Sequence, residues 1–499
     1  MTLPIDPTAP WLSQCPLDWS PDEWRKRTTQ LTEYVVSAST GWEKRRPTPN
    51  APASEIRNQF RSSLPDEGIG PDQAIALLQD LIPLSGFNGH PRWFGYITSS
   101  PDPIGVLGDF FASALNQNTN LWRIAPAATS IELQTLDWLK EIIGFPSQSE
   151  GVFCSGGQFA NLIAHAVIRK HALLWNVRED GVAARPIGVG EPRFYVSNQA
   201  HYCHAQSLDL LGLGTRALRL VPVDSQHRMD LNALEKMITE DQQAGHHPIA
   251  VIATAGTVGV GAVDPVLKLR SFTNARSLWL HVDAAYGGPG ALAPSANEDL
   301  RAISEADSIA FDPHKWLYSP IDAGVTLIRK PGLLPAAFGN QVSYLDQRSA
   351  QDGILDFVNY TPENSRPFRA LKVWLALQAH GKNGLSQSIE RDFQLAQLMA
   401  QTIGHTPELR LAAEVQTSIV CWTFEPQGLQ LSQEQKNTLQ LQILEEIEKR
   451  GIALLSKAQL PSGEIALRAC FVNFRTCAQD VLATVQATRD IGAELATQL

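Results

Sequence analysis

The sequence contains no CxxC pair, and its six cysteines are scattered along 499 residues. That is not a disulfide framework, and a reduced, cytoplasmic protein is the simplest expectation. Positive charge is also scarce. No basic block occurs and the formal net charge is −10, which excludes nucleic acid and anionic membranes as expected partners. No apolar run reaches the roughly 18 residues that a membrane span needs. The stretch "MTLPIDPTAPWLSQC" has neither a basic nor an apolar leader region, so no signal peptide is expected. Internal repeats and low-complexity tracts are absent.

What is present is a globular composition, 43% hydrophobic and 18% charged. The length implies a large domain plus at least one smaller one. Residues 1–85 read as helical pieces interrupted by the Pro-rich "KRRPTPNAPAS". Trp11, Trp19, Trp24 and Trp42 make this an arm packed on another surface, because disordered segments are poor in aromatics. Residues 86–385 alternate strand and helix. A helix is expected over 129–146, with Thr129 and Glu132 as a capping box and Gly144 and Pro146 as its stop. Apolar strands are expected at 193–198, 217–224, 249–255, 278–286, 308–312 and 324–329. Such runs predict an α/β fold, a mostly parallel sheet with helices on both faces. A long helix is expected around 367–382, and residues 386–499 read as a small α+β domain.

Four strand ends carry unusual residues, and ligands of open α/β sheets bind outside the carboxyl ends of strands. "CSGGQFANL" places Gly156 and Gly157 before a helix, a seat for phosphate or simply a tight turn. "SNQAHYCHAQ" places His201 after a strand, where an imidazole can stack on a ring or shuttle protons. His201, Cys203 and His204 also suggest metal ligands, but no fourth ligand follows at zinc spacing, so no metal is expected. "HVDAAYGG" ends a strand on Asp283, whose charge needs a partner or caps a loop. "FDPHKWLYSP" offers Lys315, a surface charge or, in a dry pocket with a lowered pKa, a nucleophile. Each alone has an ordinary structural explanation. Together, in chain order, they match what pyridoxal 5′-phosphate (PLP) asks of a protein: a phosphate cradle, a face contact, an acid at the ring nitrogen and an amine.

From about residue 85 onward the chain resembles the group II PLP-dependent decarboxylases, the family of aromatic-L-amino-acid decarboxylase and glutamate decarboxylase. "HPRWFGY", "SGGQFANL", "SNQAHY", "ATAGTVGVGAVDP", "LHVDAAYGG" and "DPHKW" carry the likeness. The resemblance implies an aspartate-aminotransferase-like fold with a seven-stranded sheet. It also implies a homodimer whose N-terminal arm wraps the partner and whose site lies at the subunit interface. It implies that Lys315 holds PLP as a Schiff base, Asp283 pairs with the pyridinium, Ala285 packs under the ring and His201 over it. Gly156, Gly157 and Gln158 would contact the phosphate, helped by Asp312 and His314, with Thr257 near the phenolic oxygen. Trp93, Tyr96, Ser99 and Trp122 would face the substrate. The expected reaction is decarboxylation of an L-amino acid, aromatic first and acidic second, with Arg92 or Arg123 as anchors for a second carboxylate.

One position departs from the family pattern. Aromatic decarboxylases carry an Asp-Tyr-x-x-Trp segment whose tyrosine supplies a proton to the substrate carbon. The matching stretch "LDFVNYTPENSRPFRALK" aligns Asp356 and then Phe357, which has no proton to give. Tyr360, Tyr344 or His201 could donate in its place. Otherwise the carbanionic intermediate meets O₂ and the product is an aldehyde, as in the related aldehyde synthases. A non-catalytic protein that keeps the fold is the third reading.

Overall fold

The computed structural model describes residues 17–339 and 354–498. Residues up to His90 form one compact unit and Pro91 onward a second. In the first, helix Pro21–Ser39 opens with a capping box between Ser20 and Glu23. Arg27 is buried there, paired with Asp72 at 3.0 Å and lying over Trp19. Trp11 and Tyr344 fall outside the described residues.

The second unit is built on seven strands: β1 (Glu150–Cys154), β2 (Pro192–Ser197), β3 (Leu218–Val221), β4 (His247–Thr254), β5 (Trp279–Asp283), β6 (Ser308–Phe311) and β7 (Gly324–Ile328). Their order is β1-β7-β6-β5-β4-β2-β3. Only β7 runs against its neighbours; β2 to β6 pair in parallel. Unbroken apolar runs such as "IAVIA" suit a sheet buried on both faces. The link from β6 to β7 is too short for a crossover helix, so β7 returns antiparallel. Lys315 lies in that link, on the single helical turn Pro313–Trp316.

A second, antiparallel sheet has the order β10-β11-β9-β8, formed by β8 (Leu409–Leu411), β9 (Ile419–Phe424), β10 (Ser456–Gln459) and β11 (Ile465–Cys470). Helices Gln433–Lys449 and Ala478–Ala496 cover it over a core of Trp422, Phe424 and Phe471. A helix over Ala370–Gly404, interrupted at Gly381 with φ 63°, packs against both Pro103–Leu115 and Ala478–Ala496. Among the described residues, no helix is long and apolar enough to cross a membrane.

Three local expectations need correction. The helix expected over 129–146 spans Pro126–Ile143, because Pro126 occupies its first turn and Gly144, at φ 72°, ends it. Thr129 and Glu132 therefore lie inside the helix and form no cap. Glu132 instead accepts from Arg366, and both side chains are 1% exposed. Strand β1 was not expected. Phe357 lies fully buried in the turn Phe357–Asn359, with the Arg366 guanidinium 4.5 Å from its ring centroid.

Arg366 also donates to the carbonyls of Thr119, at 2.8 Å, and Phe153, at 3.1 Å. Breaking a buried pair on one side leaves an uncompensated charge. Arg366→Met is expected to destabilise the protein by about 3–5 kcal/mol, measured as a lower denaturant midpoint. An unchanged midpoint would contradict that role.

Candidate active site

The carboxyl ends of β1, β4, β5 and β6 meet around one cavity. It is lined by Gly157, Gln158, His201, Asp283, Ala285 and Lys315, all expected from the sequence, and by Ile97, Asn161, Thr254, Val258 and Tyr286, which were not. Register pairs Asp283 with Thr254 on one side and Ala310 on the other, which fixes the acid at the sheet's centre. Asp283 is 5% exposed. Its carboxylate accepts from the Ala285 N–H at 3.0 Å and faces His204 Nε2 at 3.1 Å. Burial alone would raise its pKa, but His204, the Ala285 N–H and the Lys315 charge hold it well below the usual carboxylate range.

Lys315 Nζ lies 2.9 Å from Asp312 Oδ2, with its side chain 22% exposed. The sequence suggested a lowered pKa. Burial does act that way, but Asp312 and then Asp283 outweigh it, so the amine is raised and held as an ammonium. Asp312 is thus the counter-ion of Lys315, and its other oxygen is buried without a partner. Asp392 anchors the Lys315 segment from behind, accepting from Trp316 Nε1 at 3.0 Å and Tyr318 OH at 2.7 Å. Burial pushes the Asp392 carboxyl up to about 7. Trp316 is stacked between Tyr286 and Phe393.

No side chain caps the helix Gly157–Ala172, so its first-turn N–H groups are open to an anion. The approach is tight. A Cβ on Gly157 would sit 2.7 Å from Asp312 Oδ2 and 2.9 Å from the Ala285 methyl, and one on Gly156 would meet the His314 ring. His314 Nδ1 bonds the Ala323 carbonyl at 2.7 Å. His201 accepts the Cys203 N–H on Nδ1 at 3.2 Å, which leaves its proton on Nε2; burial lowers its pKa and keeps the ring neutral.

Several expected residues are not among those lining the cavity. The Thr257 hydroxyl accepts the Ala262 N–H at 3.0 Å and closes a turn, whereas Thr254 Oγ1 is buried beside the cavity without a partner. Trp93 Nε1 donates to Thr98, Ser99 Oγ to the His314 carbonyl, and the Trp122 N–H to Asp356. Tyr96 is 67% exposed with φ 58°. Tyr360 packs edge-on against Phe357 and feels the charge of Glu150, at the end of β1 far from Cys154. Arg92 is paired with Asp480.

Arg468 was missed. It is 2% exposed, donates from Nη1 to the Tyr96 carbonyl at 3.1 Å, and leaves Nε and Nη2 without partners. A lone cation inside the apolar "EIALRACF" was the available signal.

The cavity fits PLP on this chain's own features: an uncapped helix start against glycine, an ionised acid at the sheet centre, and an amine beside them. The profile of the family described as "Pyridoxal-dependent decarboxylase conserved domain" matches residues 64–425. The chain is 31% identical over 485 residues to an aromatic-L-amino-acid decarboxylase of Bacillus atrophaeus, covering 96% of this chain and 97% of that protein. It is also 31% identical over 377 residues to the mouse cysteine sulfinic acid decarboxylase, covering 75% of each. Among solved structures, mouse CSAD superposes with a TM-score of 0.88 at 25% identity, covering 95% of this chain and 99% of that one. The chain belongs to the pyridoxal-dependent decarboxylase family. It is a PLP-dependent amino-acid decarboxylase.

Gly157→Ala is expected to weaken PLP binding at least tenfold, read by absorbance titration of the apoprotein, with an unchanged far-UV circular dichroism spectrum. Affinity within twofold of wild type would contradict the cradle.

Proposed function

We propose that the protein decarboxylates an aromatic L-amino acid to its amine and CO₂. The observation that carries this is the meeting of Lys315, Asp283, His201 and the Gly157 helix start around one cavity. When bound, PLP supplies an aldehyde for amine attachment and a ring that withdraws electrons from the substrate carbon. Lys315 Nζ is the amine that holds it. Asp283 keeps a proton on the ring nitrogen, each pKa unit being worth about 1.4 kcal/mol. His201 would face the ring as a neutral imidazole, and Ile97, Val258 and Tyr286 keep water from the cavity.

Arg468 binds the substrate carboxylate. Its Nη1 donates to the Tyr96 carbonyl, its Nε and Nη2 are unpartnered, and Ile97, next in the chain to Tyr96, lines the cavity. The proton that replaces CO₂ comes from within the pocket. Lys315, held protonated by Asp312, is one source and His201 Nε2 is the other. Tyr360 packs against buried Phe357 and is not among the residues lining the cavity. Phe357 is a core residue under Arg366, so its missing hydroxyl is no argument for an aldehyde product. An aromatic side chain suits walls of Ile97, Val258 and Tyr286, and Arg92, an anchor for a second carboxylate, is already paired with Asp480. The Bacillus relative's name agrees.

The holoenzyme, supplied with each amino acid in turn, is expected to release amine and CO₂ in equal amounts without peroxide, with aromatic substrates at least tenfold above glutamate in kcat/KM. Lys315→Ala should lose both turnover and the visible band of bound PLP. Arg468→Met should raise KM at least tenfold. Aldehyde with peroxide, or preference for an acidic substrate, would overturn the reading.

We also propose a homodimer, in a reducing compartment that suits the free cysteines. Helix Pro103–Leu115 packs its Gly105 and Gly108 face against Pro320 and Lys372, and leaves Leu107, Phe110 and Phe111 about half exposed. A second copy would cover that apolar face. Light scattering should find a dimer for the wild type and a monomer for the Phe110→Glu, Phe111→Glu double variant. A monomeric wild type would sink this assembly.

A further inference from the structure

Three imidazoles lie near Asp283, none of them among the residues that line the cavity. His204 is on helix Cys203–Leu210, His165 on helix Gly157–Ala172 and His281 on β5, and all three are fully buried. A buried imidazole has to be hydrogen-bonded, so the partners are informative. His281 serves the scaffold: its Nδ1 meets Ser308 Oγ and its Nε2 meets Asn161 Oδ1, both at 2.8 Å. His204 and His165 form a separate line. His204 Nε2 faces Asp283 Oδ2 at 3.1 Å, and its Nδ1 faces His165 Nε2 at 3.4 Å. His165 Nδ1 has no partner.

One arrangement of protons satisfies this line. An ionised carboxylate only accepts, so His204 carries its proton on Nε2. Its Nδ1 then accepts from His165 Nε2–H. The bare lone pair of His165 is left at the unpartnered end, a smaller cost than stranding an N–H there. Both bonds point the same way, toward Asp283, and each polarises the next. Burial drives the His165 pKa well down, in keeping with a neutral ring.

The groups facing the pair come from every neighbouring element. Lys315 and Asp312 approach from the β6–β7 link, His201 from the turn before the helix Cys203–Leu210, Cys203 from that helix's first position, His165 from the helix Gly157–Ala172 and His281 from β5. Cys203, His204 and Asp283 bring ligand atoms within 4.8 Å of one another, as a metal site would. Burial holds the Cys203 thiol protonated, however, and His204 already spends Nε2 on the carboxylate.

We infer that His204, backed by His165, is a positioning residue for Asp283. It fixes the carboxylate's orientation and keeps it ionised, and thereby sets how firmly the cofactor's ring nitrogen holds its proton. This rests on the reading of the cavity as the PLP site.

The test combines apoprotein and PLP-loaded protein. Long-range ¹⁵N correlation spectra of histidine-labelled wild-type apoprotein should show His204 and His165 each protonated on Nε2 alone at neutral pH. His204→Leu should weaken PLP binding at least tenfold and move the pH midpoint of the bound cofactor's absorbance by one unit or more. His204→Gln, which restores an N–H toward Asp283, should bind PLP within threefold of wild type. His165→Leu should shift the midpoint in the same direction by less. Two results would overturn the inference: His204 protonated on Nδ1 alone, or a folded His204→Leu protein whose affinity and pH curve match wild type. Wild-type apoprotein that takes up no PLP would instead sink the cofactor reading, and the histidine spectra would still report the tautomers.

Discussion

Asp283 ends a central strand with 5% of its surface exposed, where an unpaired charge would be neutralised. Three contributions from three parts of the chain hold it ionised: the His204 imidazole, the Ala285 N–H from its own turn, and the Lys315 ammonium from the next link. The remainder of the large sheet places them. Parallel pairing of β4, β5 and β6 brings the acid and Thr254 to one edge, and the short return into β7 brings Lys315 to the same edge.

Charge balance in the cavity follows from that placement. Lys315 has two acids for neighbours and stays an ammonium, although burial favours the neutral amine. Lys315 would be the amine that holds a carbonyl cofactor there, with Asp312 as its counter-ion. The same Asp312 carboxylate that pairs with the Lys315 ammonium also crowds Gly157, so glycine there is a steric requirement of the cradle. Asp392, stacked Trp316 and Tyr318 make the lysine's segment rigid from the opposite side.

Much of this was legible in the sequence because the informative residues sit at ends of unbroken apolar runs. Asp283 closes "LWLHVD" and His201 follows "RFYVSN"; the alternation of such runs with helices identified the sheet. What escaped depends on partners remote in sequence. Thr129 and Glu132 match a capping box, but Glu132 is reserved for Arg366, which lies 234 residues away. Phe357 aligned with a proton donor, but its ring is sealed under that same arginine. Arg468 and His204 carry no local signature of a role, since one is defined by two empty hydrogen-bond positions and the other by a carboxylate on a different strand. β1 is short and begins on Glu150, whose carboxylate caps the Gly332–Leu334 turn and gives no strand signal.

The claim that bears the most weight is that the amine of Lys315 is the point of covalent attachment. Borohydride reduction of the PLP-loaded protein, followed by proteolysis and mass spectrometry, reads that directly. A phosphopyridoxyl group on the peptide containing Lys315, and on no other lysine, is the predicted result; its appearance on a different residue would contradict the account.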